Sequence, residues 1–277
     1  MKNRYFFIFR LFCLIITISI FFTACKKKNY IVYYQKANEI DSIYRMAGNP
    51  KLAVEKYKEL FDEYEPQNQE RISEYETYII LTDHFNIDFG GKKSLKKLIL
   101  LKAERGGNCK EYYSLFKKYG IDSADVKEQI LDWKENLNQR LVDSFTVAMR
   151  RDQQGRRPLD TALAKKNVEK NAKLLIWVFN KYGYPTARKM GTMGPNDTFF
   201  AMTTFLTHMN ESKEYPYIKS KLYEYVKSGD CVPRDYALMV DVQAFLADKE
   251  GIYRFNPNVS TDSAKINHHR KSIGFQV

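Results

Sequence analysis

Apolar residues recur at intervals of three and four along nearly the whole chain, and that spacing admits one secondary structure. Residues three and four apart share a helix face, whereas a half-buried strand alternates with period two. Alternating runs are hard to find here. Glycine and proline, the residues that break helices, number only 13 and 8 in 277. The pattern predicts an all-α fold.

The first 24 residues stand apart. Lys2, Arg4 and Arg10 form a basic start, and an apolar run covers 11–22. That run is shorter than the roughly 20 residues a membrane span needs, and it suits the apolar core of a signal sequence. Phe22-Thr23-Ala24-Cys25 follows. Small residues before a cysteine leave the backbone open to a peptidase, and the thiol can accept a diacylglycerol. This resembles the lipobox of bacterial lipoproteins of the Bacteroides type, although Phe22 stands where leucine is more usual. The resemblance implies cleavage before Cys25, lipidation of Cys25, and attachment to a membrane through that lipid. An uncleaved anchor would place Arg10 inside the bilayer, which is costly. Lys26, Lys27 and Lys28 come next, and the acidic patch that marks surface-exported relatives is absent. The expectation is a cell-envelope protein facing the periplasm, with a tether over 25–32.

Removing 24 of 277 residues leaves 253, and removing three basic residues from 45 against 33 acidic ones leaves a net charge of +9. These charges are interspersed along the predicted helices. A nucleic-acid protein concentrates them in one stripe with stacking aromatics, so no nucleic-acid partner is expected. A membrane or an anionic cell-wall polymer is the more natural attraction. Cys109 and Cys231 remain in the mature chain, 122 positions apart, and their pairing is left open. Without a CxxC motif or a cysteine–histidine cluster, neither a metal nor a cofactor is expected.

Two regions follow. In 33–140, helices are predicted over 33–47, 51–64, 70–85 and 94–105, with Gly48-Asn49-Pro50 and Gly90-Gly91 as turns. Tyr44, Ala53, Tyr57 and Pro66 fall at or within one position of the sites preferred by tetratricopeptide repeats. The region resembles such repeats. Val126, Ile130, Trp133, Leu137, Leu141 and Phe145 predict one long helix joining this region to the second, 141–277.

The second region carries a distinctive series: Asp152-Gln153-Gln154-Gly155-Arg156, then Gly183-Tyr184-Pro185, His208, Asp241, and Asn267 through Gly274. This order resembles a bacterial domain family of unknown function with a DQxxR step, a GxP helix end, a histidine, a late aspartate and an NxxRxxIG tail. It departs from that pattern at 251–257, where GIYRFNP replaces a glutamine-rich stretch. The family supplies no activity.

Read physically, Asp152 and Arg156 are four apart and would share a helix face, either as an ion pair or as a pocket corner where Arg156 grips an anion and Gln153 adds hydrogen bonds. Asn171, like Asn167, is an unfavourable helix-interior residue that needs partners or a ligand. His208 and Asp241 lie on apolar helices; His208 could serve as acid and base, with Asp152 or Asp241 as its partner. No nucleophile elbow, phosphate loop or HExxH appears. The reading favoured here is a non-enzymatic module binding a protein, peptide or cell-wall fragment. Its rival is an envelope hydrolase built on His208.

Overall fold

The computed structural model describes residues 28–275 except 68, 70, 71, 157, 248, 250 and 255–262. The expected signal sequence, Cys25, Lys26 and Lys27 lie outside the described residues, as do 255–257 of the divergent stretch. The fold is all-α: thirteen α-helices and one two-stranded hairpin among the described residues.

The N-terminal region stacks helical hairpins. Asn29 and Asn49 cap α1 (Tyr30–Arg45) and α2 (Pro50–Glu63) by accepting from Ile31 and Leu52 main-chain N–H groups. Helices α3 (Glu74–His84), α4 (Gly91–Ala103), α5 (Tyr113–Lys118) and α6 (Ser123–Glu135) follow. Asp122 and Asp125 close a capping box at the start of α6. Successive helices pack α1 on α2, α2 on α3, α3 on α4 and α4 on α6. Ala53 and Tyr57 are fully buried between them. Helix α1 begins at Tyr30 rather than at 33, which shortens the expected tether.

The expected long connecting helix does not form. It divides between α6 and α7 (Gln139–Gln153). Asn138 accepts from Leu141 N–H at 3.1 Å, and its own N–H donates to the Lys189 carbonyl at 2.8 Å. An asparagine whose side chain and main chain both find partners outside the helix starts a new one.

Helices α8 (Thr161–Tyr182), α9 (Ala187–Met190), α10 (Met202–His208), α11 (Tyr215–Ser228), α12 (Pro233–Leu246) and α13 (Ser263–Ser272) complete the fold. Between α9 and α10, Met193 pairs with Phe199 and Gly194 with Thr198 in an antiparallel hairpin, β1 and β2. Asn196 and Asp197, both at φ 53°, make its turn. The hairpin lies flush on α7, because a Cβ on Gly194 would come within 2.2 Å of Thr146 Oγ1.

One hydrophobic core runs through both regions, from Leu98 and Phe116 to Phe145, Leu175, Leu222 and Ile273. Helix α1 packs against α11 as well as α2. The tail also returns to α1: Gln35 donates to the Lys271 carbonyl at 2.7 Å and Asn38 to the Gly274 carbonyl at 3.1 Å.

Candidate functional site

Helix α7 turns Leu141, Phe145, Ala148 and Met149 inward, and Asp152 continues that face at its C-terminal end. An aspartate on the buried stripe must find partners. The partner comes from α10. Phe145 packs edge-on against Phe205 at 5.8 Å between ring centres, which brings the C-terminal ends of the two helices together. His208 Nδ1 then lies 2.7 Å from Asp152 Oδ2. Asp152 is 4% exposed and the His208 side chain 21%. Gln153 Nε2 donates to the same oxygen at 3.0 Å. With Nδ1 engaged, Nε2 on the opposite edge of the ring has no hydrogen-bond partner among the described residues. When the carboxylate accepts from Nδ1–H, the imidazole is oriented with Nε2 as a base.

Arg156 does not pair with the Asp152 carboxylate. Helix α7 ends at Gln153, and Gly155 at φ 81° turns the chain away. The turn is tight: a Cβ on Gly155 would lie 2.8 Å from Ala164 N and from the Asp160 carbonyl oxygen. Arg156 Nε donates to the Asp152 main-chain carbonyl at 3.0 Å, and Nη1 reaches Glu211 at 3.5 Å. Its Nη2 and Asp152 Oδ1 are buried without partners among the described residues. The expected ion pair at four-residue spacing fails because the helix stops before Arg156 joins its face.

The asparagines have structural partners. Asn167 donates to the carbonyls of Arg151 and Gln154 at 3.1 and 3.4 Å, covering the end of α7. Asn171, fully buried, donates to the Ala148 carbonyl at 3.3 Å and accepts from Arg151 at 3.2 Å. Asp241 stands apart from this corner. Its Oδ1 accepts the Tyr253 N–H at 2.8 Å, and Gly251 packs on its carboxyl group. Arg270 holds the other side of that turn through the Tyr253 and Arg254 carbonyls at 2.9 and 3.2 Å. Thus Asp152, Gln153, Arg156 and His208 meet in one corner. Asn171 joins it through Arg151, and the histidine's partner is Asp152 rather than Asp241.

Sequence reasoning missed Glu211, which answers Arg156, and Glu169, which accepts from Ser212 Oγ and Lys213 N–H at 3.1 Å each. The signal for Glu211 was its place three residues after His208. A cleft of about 480 Å³ opens beside the corner, walled by Arg156, Leu159, Thr161, Ala164, Lys165 and Glu211. His208 and Asp152 are not among its walls.

Among the described residues no group of three or more histidine, cysteine or acidic side chains is placed to hold a metal ion. Cys109 and Cys231 are buried free thiols, and burial pushes both above the usual thiol range. No helix of the described residues is long and apolar enough to cross a membrane. No family model, curated protein or solved structure matches the chain.

Proposed function

We propose that the chain is a periplasm-facing lipoprotein, anchored through Cys25, whose helical body binds a protein, peptide or cell-wall fragment at the Arg156 cleft. The observation that carries the binding reading is Arg156 itself. It stands in the wall of an open cleft, its side chain 23% exposed, with Nη1 held only by the 3.5 Å contact to Glu211 among the described residues. A partly exposed guanidinium whose protein contacts are few favours an anionic ligand that it can bind through paired N–H groups. Lys165 and the Thr161 side chain share that wall at the N-terminal end of α8, where an anionic group is also favoured. Leu159, 79% exposed, and Ala164 offer apolar surface beside them. The matching ligand has a carboxylate next to an apolar group, as peptides and peptide-bearing cell-wall fragments do.

Two measurements test the reading. Mass spectrometry of the mature protein should find an acylated N-terminal Cys25; an unmodified Met1 or Cys25 rules the anchor out. Calorimetric titration with soluble cell-wall peptide fragments should show binding that Arg156→Ala weakens at least tenfold, corresponding to about 1.4 kcal/mol. Binding unchanged by that substitution removes the cleft from the proposal.

The Asp152–His208 contact favours a second reading, acid–base catalysis, because an imidazole held by a buried carboxylate, its far nitrogen unpaired among the described residues, is arranged for proton transfer. It predicts turnover of cell-wall fragments that His208→Ala abolishes while the fold survives. Binding without turnover excludes it.

A further inference from the structure

We infer that the end of the body formed by the start of α1, the end of α2 and the end of α11 rests on the lipid surface, and that the Arg156 cleft is held at the opposite end, facing away from the bilayer. This rests on the lipidation of Cys25 proposed above. The geometry follows from the place of Lys28, three residues after Cys25. Lys28 Nζ donates to the Glu63 carbonyl and lies over the Tyr64 ring at 5.8 Å, so the chain is already pinned to the end of α2 at that residue. Asn29 caps α1 immediately afterwards. From Cys25 to Lys28 the covalent chain can reach about 10 Å, however it is arranged. A body of about 250 residues has a radius of gyration of about 18 Å. A leash shorter than that radius prevents the body from presenting its far end to the membrane.

The near end is identifiable. Tyr30 packs against Gly229, which ends α11; a Cβ there would fall 2.6 Å from the Tyr30 ring. Tyr30 Oη also reaches the Glu65 carbonyl at 3.3 Å. Lys28, Lys36 and Lys97 lie about this end, Lys36 and Lys97 paired with Glu63 and Glu65, while Lys227 in the last turn of α11 and the partly exposed Tyr30 flank Gly229. Lysine and tyrosine together suit the headgroup layer, where the ammonium meets anionic lipid and the phenol spans the polar boundary.

The far end is equally identifiable. Helix α11 runs 14 residues, about 21 Å, from Gly229 back to Tyr215, just past Glu211. Helix α8 gives the same answer independently. Phe179 packs on Tyr225 at 5.0 Å, and Thr161 in the cleft wall lies 18 residues, about 27 Å, back along the helix. The cleft therefore opens towards the periplasmic space and its soluble or cell-wall ligands.

The test uses the full chain, processed in cells and reconstituted into vesicles of phosphatidylethanolamine and phosphatidylglycerol containing a headgroup-linked fluorescence quencher. Single probes are placed through Lys227→Cys and, separately, Lys165→Cys. The native Cys109 and Cys231, 3% and 0% exposed, stay unlabelled in the folded protein. The expected result is quenching several-fold stronger at 227 than at 165. A long glycine–serine insertion after Lys27 should narrow that difference by freeing the body. Protein that does not float with the vesicles overturns the lipidation reading itself. Protein that floats but shows equal quenching at both sites, or stronger quenching at 165, overturns the orientation and leaves lipidation standing.

Discussion

Glu74 in the N-terminal region and Asp152 in the C-terminal region are both buried carboxylates, and their surroundings solve the same problem differently. Glu74 is fully buried and makes no salt bridge among the described residues. Tyr33 Oη donates to Oε1 at 2.7 Å and Gln69 N–H to Oε2 at 2.6 Å, while Tyr33 Oη itself accepts from Gln67 N–H at 3.0 Å. Burial is the largest influence on Glu74 and raises its carboxyl above the usual range; the hydrogen bonds oppose it. Asp152 instead meets an imidazole whose other nitrogen has no hydrogen-bond partner among the described residues. The first arrangement ties the Gln67 and Gln69 main chain to α1 and leaves neither carboxylate oxygen unpaired. The second leaves a nitrogen unused, which is what a site requires and a clamp does not.

The largest effect expected from this contrast is at Glu74. Glu74→Ala removes the acceptor of one buried and one partly buried donor and should cost about 3–4 kcal/mol in urea unfolding. The sign of its pH dependence follows from the raised carboxyl. The folded state binds the proton more readily than the unfolded chain, whose carboxyl titrates at the ordinary 4.5. Its stabilising contribution is therefore full below that value and is lost as the pH rises through the folded-state value. Comparison with Glu74→Gln across that window should show the wild type losing stability relative to the variant on alkalinisation. An invariant difference would mean that Glu74 is not buried as described.

Next is Gly155, the residue that turns the chain away from α7. Gly155→Ala forces a left-handed conformation and a Cβ against the start of α8, and should cost about 2–3 kcal/mol by thermal or urea unfolding. A cost below about 1 kcal/mol would mean that the turn relaxes easily and that the Arg156 corner is not rigidly set.

How much of this was legible in the sequence depends on how local each feature is. Helix starts at Asn49 and Asp122 are written in capping residues, and the inward faces of α2 and α7 in their spacing. The break at Asn138 was less visible, because the apolar register on its two sides is continuous and the signal lies in a bond to Lys189, 51 positions later. Asp152 and His208 could each be suspected from its type and setting. Their pairing could not, since it depends on Phe145 meeting Phe205 across two helices. Asp241 was an equal candidate by sequence and lost because Gly251 and the Tyr253 N–H occupy its carboxyl group. Glu74 gave no sign at all: a glutamate in a first helical turn normally faces water, and only the tyrosines around it make it interior.

His208 should show a smaller effect than Gly155. His208→Ala leaves the Asp152 carboxylate with Gln153 alone. The ring is partly exposed, so the expected loss is about 1–2 kcal/mol rather than the larger value of a fully buried pair. A double-mutant cycle with Asp152→Asn should return a coupling near 1 kcal/mol. Zero coupling would reduce the 2.7 Å contact to proximity.

The smallest stability effect belongs to Arg156, and it sharpens the contrast most. If the corner were only a clamp like that at Glu74, Arg156→Ala would lower stability in proportion to the bonds it makes. Those bonds are few: one main-chain carbonyl at 3.0 Å and one longer contact to a partly exposed glutamate at 3.5 Å. Removing them should cost under 1 kcal/mol, and the loss is offset by eliminating a buried nitrogen that has no partner among the described residues. Glu211→Gln should be equally mild, since it deletes only the weaker bond. A binding site behaves otherwise: Arg156→Ala would weaken ligand affinity by far more than it lowers stability, and Arg156→Lys would fail to restore it, because an ammonium cannot reproduce the guanidinium fork. Unfolding and binding measured on the same three proteins separate the two cases. Large stability losses with proportionate binding losses would make Arg156 a structural residue, whereas near-native unfolding with impaired binding would assign it to the ligand.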